Sequence, residues 1–129
     1  MSKAQVSNEF LIFVTLLFLI SILVFSLSSS LIFQANEVKT YEEAKKICDD
    51  IAYEINLALK VGDGYEREFF VPYEINGIAD FMIKIENYSV SLEWKEYSVQ
   101  SPLPIEKING EIKKGWNIIR NVEGEIYAN

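Results

Sequence analysis

Histidine is absent from this chain of 129 residues, and cysteine occurs once, at Cys48. Those two scarcities exclude intramolecular disulfides, thiolate or imidazole zinc sites and every catalytic arrangement built on a histidine base. Proline is confined to Pro72, Pro102 and Pro104, and neither proline nor glycine occurs between Phe10 and Val61. A helix can therefore cross that whole stretch without meeting a breaker. Charge is missing from one region as well: no Asp, Glu, Lys or Arg lies between Phe10 and Asn36. Nearly all of the 19 acidic and 12 basic residues come after it, so the net charge of −7 belongs to the distal part. An acidic surface repels phosphate backbones, and there is no stripe of lysine and arginine interleaved with aromatics. Nucleic acid is not an expected partner.

What is present is an apolar run. Residues 10–33 read FLIFVTLLFLISILVFSLSSSLIF, and as a helix they would be roughly 36 Å long, enough for a hydrocarbon core of about 30 Å. Thr15, Ser21 and Ser26 are the polar residues inside it, and their hydroxyls can bond back to the helix; the serine cluster at 28–30 suits the far interface. A cleaved secretory signal would have a shorter apolar core and a small-residue cut site after it, whereas this core runs on without a break. The segment is expected to be a transmembrane helix.

Residues 37–61 place apolar or small side chains at Tyr41, Ala44, Cys48, Ile51, Ile55 and Ala58, widened by Ile47, Ala52 and Leu59 into one helical face. Glu42, Glu43, Lys45, Lys46, Asp49, Asp50 and Glu54 lie opposite and read as a solvated face. Gly62-Asp63-Gly64 ends the helix. The period then changes to two, giving expected strands at 66–73, 80–86, 89–97, 111–119 and 125–127. Asn76-Gly77, Asn87-Tyr88 and Asn109-Gly110 suggest tight hairpin turns, and Ser101-Pro102-Leu103-Pro104 a loop that cannot enter a central strand. The expected fold class is α+β, with a long N-terminal helix, transmembrane and then amphipathic, packed on a small antiparallel β-sheet head. The divisions are 1–4, a leader peptide; 5–36, the apolar helix; 37–61, the amphipathic helix; and 62–129, the β head.

The junction at 3–11, Lys3-Ala4-Gln5-Val6-Ser7-Asn8-Glu9-Phe10-Leu11, carries the most information. A carboxylate within hydrocarbon costs roughly 2.5–3.5 kcal/mol on insertion scales, so Glu9 must stay at the interface or find a partner. Physics alone favours the plainer role, in which Glu9 complements the positive end of the helix dipole and faces headgroups.

The same stretch resembles the class III signal peptides of archaeal type IV pilin-like proteins: a short basic leader with Lys3, then Ala4 and Gln5, then Glu9 followed directly by a long apolar helix. The resemblance implies a prepilin peptidase that cuts between Ala4 and Gln5 on the cytoplasmic side. Glu9 would become the fifth residue of the mature chain, where these pilins carry a glutamate. The motif covers about nine residues. The leader is sparse, with one lysine, and Asn8 is polar where an apolar residue is usual. Archaellins share the architecture but begin the mature helix with small and glycine-rich residues, so 5–11 favours the pilus branch. The resemblance also implies self-association, or association with other pilins, through the N-terminal helix, with Glu9 meeting a neighbour's free N-terminus. It places a short N-terminus in the cytoplasm and the head outside, a topology that Lys39, Lys45 and Lys46 leave undecided by charge count alone.

The remaining features read as structure. Asn87-Tyr88-Ser89 is a glycosylation sequon at an expected turn, making Asn87 a candidate acceptor. Cys48 reads as a buried, inert thiol, and Trp94 and Trp116 read as head core. Gly62-Asp63-Gly64 and Asp80 are too scattered for a calcium loop, and Glu66/Glu68 or Glu123/Glu125 read as solvated strand faces. No catalytic residue, metal or cofactor is expected. Two functions remain: a structural subunit, major or minor, of a type IV pilus-like surface filament, or a monomeric single-pass anchor carrying an extracellular binding module.

Overall fold

The structure is a computed structural model that describes residues 3–129; residues 1 and 2, half of the expected leader, lie outside the described residues. One helix, α1 (Lys3–Val61), precedes seven strands: β1 (Glu66–Val71), β2 (Met82–Glu86), β3 (Ser89–Trp94), β4 (Tyr97–Pro102), β5 (Asn109–Gly110), β6 (Gly115–Val122) and β7 (Glu125–Ala128). The fold is α+β. The chain divides into two compact units, Met1–Val38 and Lys39–Asn129.

In the first unit every described residue is helical and exposed. Small hydroxyls return to the backbone, Thr15 to the Leu11 carbonyl at 2.8 Å, Ser21 to Leu17 at 2.8 Å and Ser29 to Phe25 at 2.9 Å. Each polar side chain so engaged is satisfied within the helix and needs no water.

In the second unit α1 supplies a buried stripe of Ala44, Ile47, Cys48, Ile51, Ala52, Ile55 and Ala58, spaced by three and four. Small residues alternate with isoleucines along it, and these side chains join the buried core of the head. Fully buried, each isoleucine contributes about 1.5–3 kcal/mol relative to exposure. The helix stops where Gly62 takes φ 92° and its N–H donates to the Ala58 carbonyl at 3.1 Å, a left-handed cap that a β-carbon would strain.

The head contains two sheets rather than the single one expected. One has the order β1-β6-β7-β5 and the other β2-β3-β4. All pairings are antiparallel except β5 with β7, which is parallel. Core residues come from both, Phe69, Val71, Ile119 and Ile126 from the first and Val90, Leu92, Trp94 and Val99 from the second. The helix is clipped to each. Lys45 Nζ donates to the Gln100 carbonyl at 3.1 Å and to Ser101 Oγ at 2.8 Å, while the Ser101 hydroxyl donates to Asp49 at 2.5 Å. The Ser101 hydroxyl first, then the Lys45 ammonium, holds the Asp49 carboxyl below its usual range. At the other end Asn121 Nδ2 donates to the Ala58 carbonyl at 2.9 Å.

Several expectations change. Tyr41 is exposed rather than on the buried face, and Thr40 takes the buried position instead. Glu54, expected in solvent, is only 8% exposed, with Arg67 of β1 3.5 Å from one carboxylate oxygen. Ser101 and Pro102 belong to β4, yet β4 is an edge strand, where a missing N–H is tolerated. Trp94 is core at 5% exposure, whereas Trp116 is 71% exposed. Its neighbours Gly115 and Asn117 point inward, and alternation along β6 turns the indole out.

Candidate functional site

The largest unsatisfied surface lies on α1 in the first unit. Phe10, Phe13, Leu17, Phe18, Leu23, Phe25, Leu27, Leu31 and Phe33 are all more than half exposed, reaching 76% at Phe25, and they point to every side of the helix. An apolar surface of that extent has no counterpart on a monomer in water and requires lipid or protein around it. By length and composition α1 is the one helix among the described residues able to cross a membrane. Along one side Asn8, Leu11, Ile12, Thr15, Leu16 and Leu19 outline a shallow groove of about 360 Å³. These positions follow helical spacing, the pattern that receives a second helix.

Ala4, Gln5 and Glu9 all sit on the opening turns of α1 and are exposed. Cleavage between Ala4 and Gln5 would require the first turn to open, where backbone N–H groups lack helical acceptors and opening costs least. Glu9 is one turn before the groove residue Ile12 and has no ion pair among the described residues. It is thus the single charged side chain on the helical surface from residue 4 to residue 36.

Asn87 lies at the apex of the β2–β3 hairpin, exposed, with φ 50°, followed by Tyr88 at φ 60°. Two consecutive left-handed residues make the tight turn that matches strand twist. The Ser89 hydroxyl donates to the Glu86 carbonyl at 3.1 Å. The amide side chain is accessible on a projecting turn, as a glycan acceptor must be.

One surface was not apparent from the sequence. On the outer side of β1 and β6, Phe70 stands opposite Trp116, with ring centroids 5.4 Å apart, and Tyr73 meets Phe70 edge-on at 5.7 Å. Hydrophobicity assigns such rings to the core; only the parity of the buried residues Phe69, Val71, Asn117 and Ile119 reveals that they face outward. The signal was present in the alternation, but the polar Asn117 and Asn121 on the inner face obscured it.

Among the described residues no group of three or more His, Cys, Asp or Glu is placed to hold a metal ion. The Cys48 thiol donates to the Val99 carbonyl at 3.7 Å, and burial pushes its pKa up to about 11. It is a protonated core residue. No family model, curated protein or solved structure matches the chain.

Proposed function

We propose that this chain is a structural subunit, major or minor, of an archaeal type IV pilus-like surface filament. A prepilin peptidase removes residues 1–4, and the apolar helix stays on the mature protein. The helix first anchors the subunit in the membrane with a short cytoplasmic N-terminus and the head outside. It then moves into a filament core made of the same helices from neighbouring copies. The role is structural rather than catalytic, and Asn87 is the glycan acceptor on the displayed head.

The observation that carries this reading is the single carboxylate, Glu9, at the start of a helical surface that is apolar on every side and exposed throughout. In a plain anchor a carboxylate there would do no more than complement the helix dipole and face headgroups. In a helical bundle, Glu9 meeting the ammonium of a neighbour's Gln5 fixes the axial register, because an unpaired charge in a low-dielectric core is strongly disfavoured. If Gln5 cyclises, the Glu9 carboxylate accepts backbone or side-chain hydrogen bonds instead.

Replacing Glu9 with Gln tests this directly in cells that hold the peptidase and the assembly machinery. Filaments counted by electron microscopy should fall by about tenfold or more, the scale of one lost charge-assisted contact per subunit, while the amount in the membrane fraction stays the same. Equal filament numbers from both forms, or filaments from neither, would favour the alternative, a monomeric membrane-anchored extracellular binding module.

A further inference from the structure

On the outer face of β1 and β6 the rings of Phe70, Tyr73 and Trp116 hold one another in place. Phe70 is the register partner of Trp116 and meets both other rings edge-on, with centroids 5.4 Å and 5.7 Å apart. Tyr73 lies against Gly115, where a β-carbon would fall 2.6 Å from the tyrosine hydroxyl oxygen, so a glycine at φ 93° keeps the place for that ring. The interior of the head does not use these rings, because Phe69, Val71, Asn117 and Ile119 fill it from the opposite face of the same strands. Rings already braced in this way lose little freedom when a ligand arrives.

The size and charge of this patch narrow what it can receive. At 46%, 60% and 71% exposure, Phe70, Tyr73 and Trp116 offer about 400 Å². That is half of the roughly 800 Å² each partner gives to a standard protein interface. Past the half-buried Ile118 the face becomes charged, with Arg120 Nε 3.0 Å from Glu66. Glu68, diagonal to Trp116 across the ladder and so about 7–8 Å from it, makes no ion pair among the described residues. With its one basic residue paired, this face repels phosphate and carboxylate groups in a chain whose net charge is −7. The rings touch, so they leave no gap that would enclose a cation. What remains is a flat apolar floor rimmed by the Trp116 indole N–H, a donor, the Tyr73 phenol, a donor and acceptor, and the Glu68 carboxylate, an acceptor. A sugar ring has the matching form. Its C–H groups meet the negative faces of aromatic rings, and its hydroxyls donate and accept around the edge.

We propose that Phe70, Tyr73, Trp116 and Glu68 form a binding platform for a neutral glycan built of hexoses whose ring hydroxyls are all equatorial. Such sugars present axial C–H bonds on the ring face with no hydroxyl in the way. The indole takes that face, and Glu68 accepts from hydroxyls at its edge. This reading stands independently of filament assembly, since it concerns the head alone.

The test uses the full chain, nitrogen-15-labelled in micelles of a sugar-free detergent. Of its two tryptophans, Trp116 is identified as the indole N–H signal that Trp116→Thr removes. Cellohexaose, a hexamer of β-linked glucose, should shift that signal saturably with a dissociation constant of about 1 mM or below, equally at low and high salt, and leave the Trp94 signal in place. Mannohexaose, with one axial hydroxyl on each ring, should bind several-fold more weakly. By titration calorimetry Trp116→Thr should weaken cellohexaose binding about tenfold or more, while Glu68→Gln, which keeps an acceptor, should weaken it only a few-fold. A capped Gly-Arg-Gly-Arg-Gly peptide should leave the Trp116 signal unmoved. No shift at about 10 mM cellohexaose, equal binding of the two sugars, or undiminished binding by Trp116→Thr would overturn the proposal. Tighter binding of the arginine peptide, lost in Glu68→Gln, would assign the face to a cationic protein segment and overturn it. A Trp116 shift that follows protein concentration alone would assign it to a second copy and overturn it as well.

Discussion

Asn121 holds three elements of the head together from one buried position. Its Nδ2 donates to the Ala58 carbonyl at the end of α1, its Oδ1 accepts from the Gly124 N–H at 3.0 Å, and its backbone exchanges bonds with Gly64 and Tyr65. Asn121→Ala leaves the Gly124 N–H without its partner and takes one of two donors from the Ala58 carbonyl, and should cost about 1–3 kcal/mol, read as a lower urea midpoint in Trp94 fluorescence. A polar residue in a strand gave no hint of this, because its partners lie sixty positions away. Cys48 was legible, since its place on the apolar stripe already implied burial. With its pKa at about 11, only about one thiol in a thousand is ionised at pH 8. Iodoacetamide at that pH should therefore label Cys48 only after denaturant is added, as mass spectrometry would show; rapid labelling of the folded chain would contradict its burial. Glu54 was misread because its helical position borders the stripe, and only the arrival of β1 with Arg67 covers it.

Among the elements, the helix and its end were readable because a stretch without breakers and a glycine pair are local signals. The strands were readable where turns announce themselves. Val71 ends β1 because Pro72 follows, and Asn87-Tyr88 makes the hairpin expected of it. The turn at Lys95-Glu96 escaped notice. Lys95 takes φ 50° without glycine or asparagine, so residues expected as one strand, 89–97, form β3 and the start of β4. Asn109-Gly110 forms the parallel bridge to β7 instead of a hairpin. A β-carbon on Gly110 would fall 2.1 Å from the Ala128 carbonyl oxygen, so glycine serves close backbone approach there. The expected strand 111–119 begins at Gly115 instead, after Asn117 has pinned Lys113 by bonds of 2.7 Å to its N–H and from its own amide to the Lys113 carbonyl. The two tryptophans provide the sharpest check on these assignments. Trp94→Ala should cost about 3–5 kcal/mol by emptying the core. Trp116→Thr should cost no more than about 1 kcal/mol, the scale of its exposed pair with Phe70. Urea denaturation of each variant, followed by circular dichroism, would show comparable losses for the two if β6 were shifted by one residue, which would turn Trp116 inward and leave Trp94 in β3 buried.

For the whole molecule, the division of composition is the governing fact. Residues 10–36 carry no charge, and the net charge of −7 resides in the acidic head. An uncharged helical surface exposed on all sides calls for an apolar environment, and an acidic head of packed sheets calls for water. A filament subunit meets both needs, first in a bilayer and then among copies of its own helix, and this makes the position of the mature N-terminus decisive. Glu9 acts as a register partner only if the chain begins close to it. The most direct measurement is the N-terminal sequence and intact mass of the protein recovered from membranes of cells that contain a prepilin peptidase. A chain starting at Gln5, as free glutamine or its cyclised form, is the predicted result. A chain that keeps Met1 or Ser2, or one cut near Ser30, would contradict the filament account.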